Sequence, residues 1–183
     1  MDNRWIEEEG YKWTEKEMQL ALFEWLEMRK RTLIMPNFTP RRWQECDMFS
    51  LTAALYYHEI EVKVSRGDFR ADFRDKRYKH MTLAETFPSR SLKSPPRTFM
   101  YACPAGLLSV ADMPEYAGLI HVRRYIRDYC ATRYEVRIEK KAPVIRGAEK
   151  LSSEQVFQIS SHLWYRYANE WKKGVRLRVK REV

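Results

Sequence analysis

Asp47, Glu61 and Lys63 have the residue types and the spacing that could bring opposite charges together at one site. Asp47 lies in a largely apolar run, residues 46–53, and the other two lie in a run of alternating polar and apolar residues, 56–65. Both runs are typical of β-strands, in which successive side chains point to opposite faces. Glu61 and Lys63 would share one face, and Asp47 can meet them across the ladder if the strands pair.

Two carboxylates at such a short distance repel each other unless a cation lies between them. Oxygen ligands that leave positions open for water suit Mg²⁺ or Mn²⁺. The alternative is that Glu61 and Lys63 form an ordinary ion pair on the polar face of a half-exposed strand. Glu59 lies on the same face, further from the motif, and we interpret it as polar surface.

The pattern resembles the PD-(D/E)XK nuclease superfamily, whose motif is an Asp, a variable gap, then Glu or Asp, any residue and Lys. Glu45 supplies the Glu-x-Asp start that is often seen at this position. Residues 99–108 and 118–122 look like the strand, Pro-x-Gly-Leu turn and return strand of a phage and DNA-repair branch of the superfamily. Residues 140–143 are similar to the segment that closes the core there. The resemblance covers residues 14–145.

The resemblance implies a restriction-endonuclease-like α/β core, with a central mixed sheet of about four or five strands flanked by helices. It also implies an endo- or exodeoxyribonuclease of phage DNA metabolism or of DNA repair and recombination, dependent on Mg²⁺ or Mn²⁺. DNA is favoured over RNA because most relatives act on DNA. Small nucleases of this kind often dimerise to cut two strands, so a homodimer is an open expectation.

In such a site Asp47, Glu61 and the main-chain carbonyl of Val62 would hold the metal ion, which lowers the pKa of a bound water. Lys63 would orient that water, help to deprotonate it, or stabilise the extra negative charge as the pentacovalent state forms. Relatives often add an acidic ligand from the first helix, and Glu17 is our candidate in preference to Glu24. The alternative for Glu17 is a helix-capping residue.

The charge of the chain favours polyanionic partners, with nucleic acid first. There are 34 Lys and Arg residues against 25 Asp and Glu, a net charge of +9. Phosphate contacts of this kind set affinity and register but do not read base sequence. The predicted contacts are Arg41, Arg42, Arg70, Arg74, Arg77, Lys79, Arg176 and Arg178.

Other site types find no support in the sequence. The three Cys residues have no metal-binding spacing and are expected to be buried, reduced thiols, while the four His residues share no spacing that would suit zinc. A chain with six Gly residues and no Gly-rich phosphate loop is not expected to hydrolyse nucleoside triphosphates. A charged amino terminus and the lack of an apolar run of ~20 residues predict a cytoplasmic protein without membrane contact, in a bacterium or a phage-infected cell.

The helices and strands around the site are predicted from periodicity and turn residues. Thr14 and Glu17 predict a capping box, and a helix should run from there to Lys30. We predict one domain over residues 14–174, between a loosely ordered segment 1–13 and a basic tail 175–183. The sheet should lie between the first and last helices. The remaining predictions are a loop 35–41, a hairpin of strands 43–53 and 57–65, a helix 69–79 capped by Asp68, a loop 85–97, strands 97–103, 118–122 and 134–140, and a last helix from Ser152 or Ser153 that ends before Gly174.

Two other functions remain open. One is a nucleic-acid-binding module on the same fold that does not cleave, although an intact Asp47, Glu61 and Lys63 argues against it. The other is a phage accessory factor that binds protein, which should ignore Mg²⁺ and show no salt-dependent DNA binding. Its contact surface would be aromatic: Trp5, Trp13, Trp164, Tyr165, Tyr167 and Trp171.

Overall fold

The computed structural model describes residues 5–85, 94–127 and 131–179, with side chains up to residue 174. The chain divides into two compact units, Met1–Glu149 and Lys150–Val183. The second unit contains helix α4 (Ser153–Val179). The first unit contains, in chain order, β1 (Ile6–Glu7), α1 (Glu15–Met28), β2 (Leu33–Phe38), β3 (Cys46–Leu51), β4 (Tyr57–Val62), α2 (Arg66–Asp75), α3 (Arg77–Leu83), β5 (Phe99–Pro104), β6 (Ala117–Arg127) and β7 (Ala131–Lys140).

The central sheet is mixed and has seven strands within the described residues, more than the four or five that were predicted. The strand order is β1-β6-β5-β4-β3-β2, and β7 pairs with β6. Strands β2, β3 and β4 form an antiparallel meander, whereas β4, β5 and β6 run parallel. The predicted α/β class is therefore confirmed. The prediction that the last helix covers the sheet stays a prediction, because α4 belongs to the other unit.

Helix α1 begins at the predicted capping box. The Thr14 side chain accepts a hydrogen bond from the Glu17 main-chain nitrogen, and the Glu17 carboxylate accepts one from the Thr14 main-chain nitrogen. These bonds satisfy two of the amide groups that a helix start leaves unpaired. Met18, Leu22 and Leu26 recur at helical spacing and are buried, so this stripe is the core-facing side of α1.

Two edge strands were missed because their sequences carry weak or contrary signals. The predicted loop 35–41 contains most of β2, in which Pro36 lies opposite Met48. Proline cannot donate to the ladder, but β2 is the last strand in the sheet order, and an edge position tolerates that loss. The segment 1–13 was expected to be loosely ordered, yet β1 within it pairs with Ile126 and Tyr125 of β6.

A pair of helices connects the parallel strands β4 and β5. The predicted helix 69–79 is in fact α2 and α3, which meet at Lys76. Ser65, and not Asp68, caps α2, because the Ser65 hydroxyl accepts a hydrogen bond of 3.0 Å from the Asp68 main-chain nitrogen. Parallel strands need a long crossover, and helices are its usual form.

The sheet has a separate apolar cluster on each face. On one face, Ile60, Ala102 and Ile120 pack against the α1 stripe. On the other face, Phe99, Tyr101 and Leu119 pack with Phe69 of α2 and Leu83 of α3. Strands buried on both faces suit the parallel centre of such a sheet. As a result, β4 lies between two helical layers, and any polar side chain on it must find its partners inside the protein.

Helix α4 continues past Gly174, where the sequence predicted its end, to Val179. Glycine in a helix interior costs only about 1 kcal/mol relative to alanine, so it does not by itself stop a helix. The first residues of the predicted tail 175–183 are thus helical, and the last four lie outside the described residues. In the part of the chain that the structure describes, no helix combines the length and apolar character needed to cross a membrane.

We expect Gly118→Ala to lower the free energy of unfolding by about 1 to 3 kcal/mol. A Cβ atom at this position in β6 would lie 2.7 Å from the Ala142 nitrogen and 2.8 Å from the Lys140 oxygen. Both are backbone atoms, which cannot rotate away as a side chain could. Urea unfolding measures the effect, and Gly67→Ala, which has room for the new atom, is the matched control. Equal midpoints for the two variants would contradict this account of Gly118.

Candidate functional site

Asp47 and Glu61 are neighbours across the antiparallel ladder of β3 and β4. Met48 pairs with Ile60, so Asp47 and Glu61 follow as the next positions along the two strands. The Asp47 Oδ2 atom accepts a hydrogen bond of 2.7 Å from the main-chain nitrogen of Val62. Because the N–H and C=O groups of one strand residue point to the same side, the Val62 carbonyl also faces β3. The structure therefore places Asp47, Glu61 and Val62 together at the end of the hairpin.

Glu61 is buried and surrounded by three lysine ammonium groups. Its Oε1 atom lies 2.6 Å from Lys79 Nζ, and its Oε2 atom lies 2.5 Å from Lys76 Nζ. Lys63 Nζ is 3.5 Å from the same Oε2 atom. The Glu61 side chain is 0% exposed and that of Lys63 is 6% exposed, so the alternative of a surface ion pair is wrong. This carboxylate is tolerated inside the protein because each oxygen has a charged partner.

Lys79 does not belong to a DNA-binding surface. Its side chain is fully buried and forms ion pairs with both Glu59 and Glu61. Glu59 is also fully buried, contrary to its interpretation as polar surface, and its Oε2 atom accepts a hydrogen bond of 2.6 Å from Trp43 Nε1. The sequence predicted phosphate contacts from Lys79 because lysine is most often exposed. That prediction is wrong, and Lys79 joins helix α3 to the sheet instead.

Asp72 of α2 holds Lys63 in place. Its Oδ1 atom lies 2.8 Å from Lys63 Nζ, and its Oδ2 atom accepts a hydrogen bond of 2.9 Å from the Tyr101 hydroxyl. His80 Nε2 is 2.9 Å from the same Oδ2 atom, and His80 Nδ1 is 2.9 Å from the Tyr116 hydroxyl. A carboxylate with so many buried partners is fixed in position. It therefore fixes the ammonium group of Lys63 relative to Glu61.

The pKa values of the site follow from burial and from these charges. Burial and the nearby Glu61 carboxylate raise the pKa of Asp47 to about 7. Burial would also raise the pKa of Glu61, but Lys79 and Lys76 outweigh it and the pKa lies below its ordinary value. Burial would lower the pKa of Lys63, but Asp72 and Glu61 outweigh it and the pKa lies above its ordinary value. At neutral pH Glu61 and Lys63 are therefore charged, and Asp47 titrates.

Glu17, the candidate metal ligand on α1, caps the start of its own helix. Its carboxylate accepts hydrogen bonds from Tyr11 and Thr14, which supports the capping alternative. The residue of α1 that reaches Asp47 is Gln19, whose Nε2 atom is 3.5 Å from the Asp47 main-chain oxygen. Within the described residues no group of three or more His, Cys, Asp or Glu side chains is arranged to hold a metal ion. The predicted ligands are two carboxylate side chains and one main-chain carbonyl, so they contain fewer than three such side chains.

Most of the predicted phosphate-binding arginines are on the surface. Arg41, Arg42, Arg70 and Arg77 are exposed, and Arg74 is exposed but bound to Asp75 at 2.7 Å. The side chains of Arg176 and Arg178 lie outside the described residues. Of the aromatic residues considered for a protein partner, four are exposed on α4, namely Trp164, Tyr165, Tyr167 and Trp171. Trp13 instead packs against the apolar cluster of the sheet.

The sequence analysis did not identify Asp72, Lys76 or His80 as residues of the site. A signal was present in the spacing of the segment. Phe69, Asp72, Lys76 and Lys79 recur every three or four residues, as expected for one face of a helix. Their mixed apolar and charged character hid the stripe from a search for apolar periodicity. What the spacing could not reveal is that this face lies on the sheet at Glu61.

Comparison with known proteins supports the fold only. No family model matches the chain, and no curated protein matches it. A solved structure, the SPO1766 protein of unknown function from Silicibacter pomeroyi, is similar with a TM-score of 0.52 and 20% sequence identity. The match covers 82% of this chain and 85% of that one. At this identity the likeness concerns architecture, so the functional argument has to rest on the site.

We expect Lys79→Met to lower the free energy of unfolding by about 3 to 5 kcal/mol, because it leaves two buried carboxylates without their shared cation. Arg77→Met removes the same charge two residues away at an exposed position, and a change within about 0.5 kcal/mol is expected there. Chemical unfolding of both variants at pH 7.5 measures the difference. A Lys79→Met protein as stable as wild type would rule out this ion pair as a support of the fold.

We expect the stabilising effect of Asp47→Asn to grow with pH. The folded pKa of about 7 lies above the unfolded value, so the folded wild type keeps a proton that the unfolded chain has released. The contribution of Asp47 to the free energy of unfolding therefore falls as pH rises from about 4 to 7, and the Asn variant lacks this loss. The stability of the variant relative to wild type should therefore rise by about 2 to 3 kcal/mol between pH 5 and pH 8. A pH-independent difference between the two unfolding curves would refute the raised pKa.

Proposed function

We propose that this chain is a metal-dependent deoxyribonuclease with a restriction-endonuclease-like core, similar to the PD-(D/E)XK superfamily. The observation that carries the proposal is the convergence of Asp47, Glu61 and Lys63 where β3 meets the end of β4. Two carboxylates that can hold a divalent ion, with an ammonium group beside them, suit phosphodiester hydrolysis. The net charge of +9 supports a polyanionic substrate.

The residues fit one Mg²⁺ or Mn²⁺ ion. Within the described residues only one oxygen of Asp47, Oδ2, has a hydrogen bond, and the side chain is partly exposed. Carboxylate and carbonyl oxygens are the donors that these ions prefer. Asp47, Glu61 and the Val62 carbonyl would therefore hold the ion. When bound, it would polarise the phosphate and lower the pKa of a coordinated water.

Lys63 acts in this proposal as a fixed positive charge. Its pKa is raised, and its ammonium group is held by Asp72 at 2.8 Å, so at neutral pH it has no free lone pair with which to accept a proton. Of the expected roles, stabilisation of the negative charge that builds up on the phosphate oxygens fits best. Asp72 keeps that charge aimed at the site, so reorganisation during the reaction is small.

A non-cleaving nucleic-acid-binding protein is the second candidate. The observation in its favour is that both oxygens of Glu61 already have lysine partners. If those ion pairs persist under all conditions, the site has too few free oxygens for a metal ion. The exposed Arg41, Arg42, Arg70 and Arg77 would still bind phosphates.

Labelled duplex, single-stranded and branched DNA, incubated with Mg²⁺ or Mn²⁺, test the proposal. We expect wild-type protein to cleave at least one substrate and EDTA to abolish cleavage. Asp47→Asn and Lys63→Ala should each lower the rate by at least about a hundredfold, since each removes a group that acts in the transition state.

Glu45→Gln is the matched control, because Glu45 is an exposed carboxylate two residues before Asp47 on the same chain segment. It should leave the cleavage rate within about twofold, as expected for a surface change. Salt-sensitive binding without cleavage of any substrate would favour the second candidate. Neither cleavage nor binding would reject both and would direct attention to a protein partner.

A further inference from the structure

Lys76 occupies the position at which a metal ion would bind the Glu61 carboxylate. Its Nζ atom is 2.5 Å from Glu61 Oε2 and 3.5 Å from Asp72 Oδ1. The Oε1 atom of Glu61 is bound by the fully buried Lys79, so Oε2 is the oxygen at which an added cation could bind. Its other cationic neighbour, Lys63, is more distant at 3.5 Å. Lys76 thus occupies the carboxylate oxygen that a divalent ion would need.

The three lysines that pair with Glu61 differ in solvent exposure and in their other partners, and therefore in how easily each ammonium group can move away from Glu61. Lys79 is 0% exposed and is also bound to Glu59, and Lys63 is 6% exposed and bound to Asp72. Lys76 is 28% exposed and lies at the junction between α2 and α3. A lysine has a flexible stem of four carbons, so its ammonium group can move into water while its backbone stays in place. Of the three, Lys76 is therefore the one that can be exchanged.

We propose that Lys76 is a built-in competitor of the metal ion, which occupies Glu61 Oε2 in the metal-free protein and must swing out before a divalent ion can bind. The inference rests on the proposed function, because it assumes that Asp47 and Glu61 are the ligands. The ion pair keeps Glu61 neutralised without a metal. A metal ion can bind only the molecules in which Lys76 has left Glu61. The apparent association constant of the metal ion is therefore the intrinsic constant multiplied by that fraction of molecules.

Mn²⁺ binding to DNA-free protein tests the exchange without any measurement of activity. Free Mn²⁺ is counted by electron paramagnetic resonance, and Mg²⁺ is followed by calorimetry. Lys76→Gln should bind Mn²⁺ about ten- to a hundredfold more tightly than wild type, since one charge-assisted hydrogen bond no longer has to be broken. Lys76→Arg keeps the charge and should remain within about threefold of wild type.

Arg77→Gln is the matched control, because it removes the same charge from the next residue, whose side chain is exposed. It should leave the Mn²⁺ affinity within about threefold of wild type, as a distant surface charge is screened by salt. Addition of Asp47→Asn to Lys76→Gln should abolish the tight binding. That result would locate the ion between the two strands.

The outcomes separate the inference from the proposed function. Equal Mn²⁺ affinities in wild type and Lys76→Gln, with binding lost in Asp47→Asn, would overturn the exchange and leave the metal site in place. No Mn²⁺ binding at millimolar concentrations in either protein would overturn both. Tighter binding in Arg77→Gln as well would show a general charge effect and would also overturn the exchange.

Discussion

Glu61 is a buried carboxylate whose charge is offset by ion pairs with three lysine ammonium groups. An isolated carboxylate inside a protein costs several kcal/mol, and this cost must be offset by charged partners with good geometry. Two of the three partners, Lys76 and Lys79, come from the crossover helices rather than from the sheet. Helices α2 and α3 must therefore lie over β4 in one register for Glu61 to be tolerated at all. The same contacts bring Asp72 to Lys63, so the fold and the candidate site share one set of interactions.

The local parts of the fold were predictable because they have local causes. The capping box at Thr14 and the alternation along β4 are both set by residues close in sequence, and the structure has both. Strand β2 was missed because Pro36 argues against a strand unless its edge position is known. The division between α2 and α3, and the continuation of α4 beyond Gly174, depend on weak preferences of about 1 kcal/mol that tertiary packing easily overrides.

The candidate site was predictable in its motif but not in its surroundings. Alternation along one strand placed Glu61 and Lys63 on the same face, and the pairing of β3 with β4 brought Asp47 beside them. Charged residues are most often exposed, so nothing in the sequence indicated that Glu59 and Lys79 are buried. Their burial follows from a contact between α3 and the sheet, which joins residues some twenty positions apart in the sequence. No periodicity within one element reports a contact of that kind.

Asp47 is the residue that a purely structural account of the cluster leaves unexplained. The carboxylates of Glu59, Glu61 and Asp72 have ion-pair partners in Lys63, Lys76 and Lys79, whereas the one partner of the Asp47 side chain is a main-chain amide, and burial raises the pKa of both Glu59 and Asp47 to about 7. Ionised Asp47 would add an unmatched negative charge next to Glu61, and its pKa of about 7 records that cost. Asparagine could accept the Val62 hydrogen bond without the charge. A carboxylate at a position where it lowers stability is consistent with the proposed cation-binding function, because perturbed ionisable groups concentrate at functional sites.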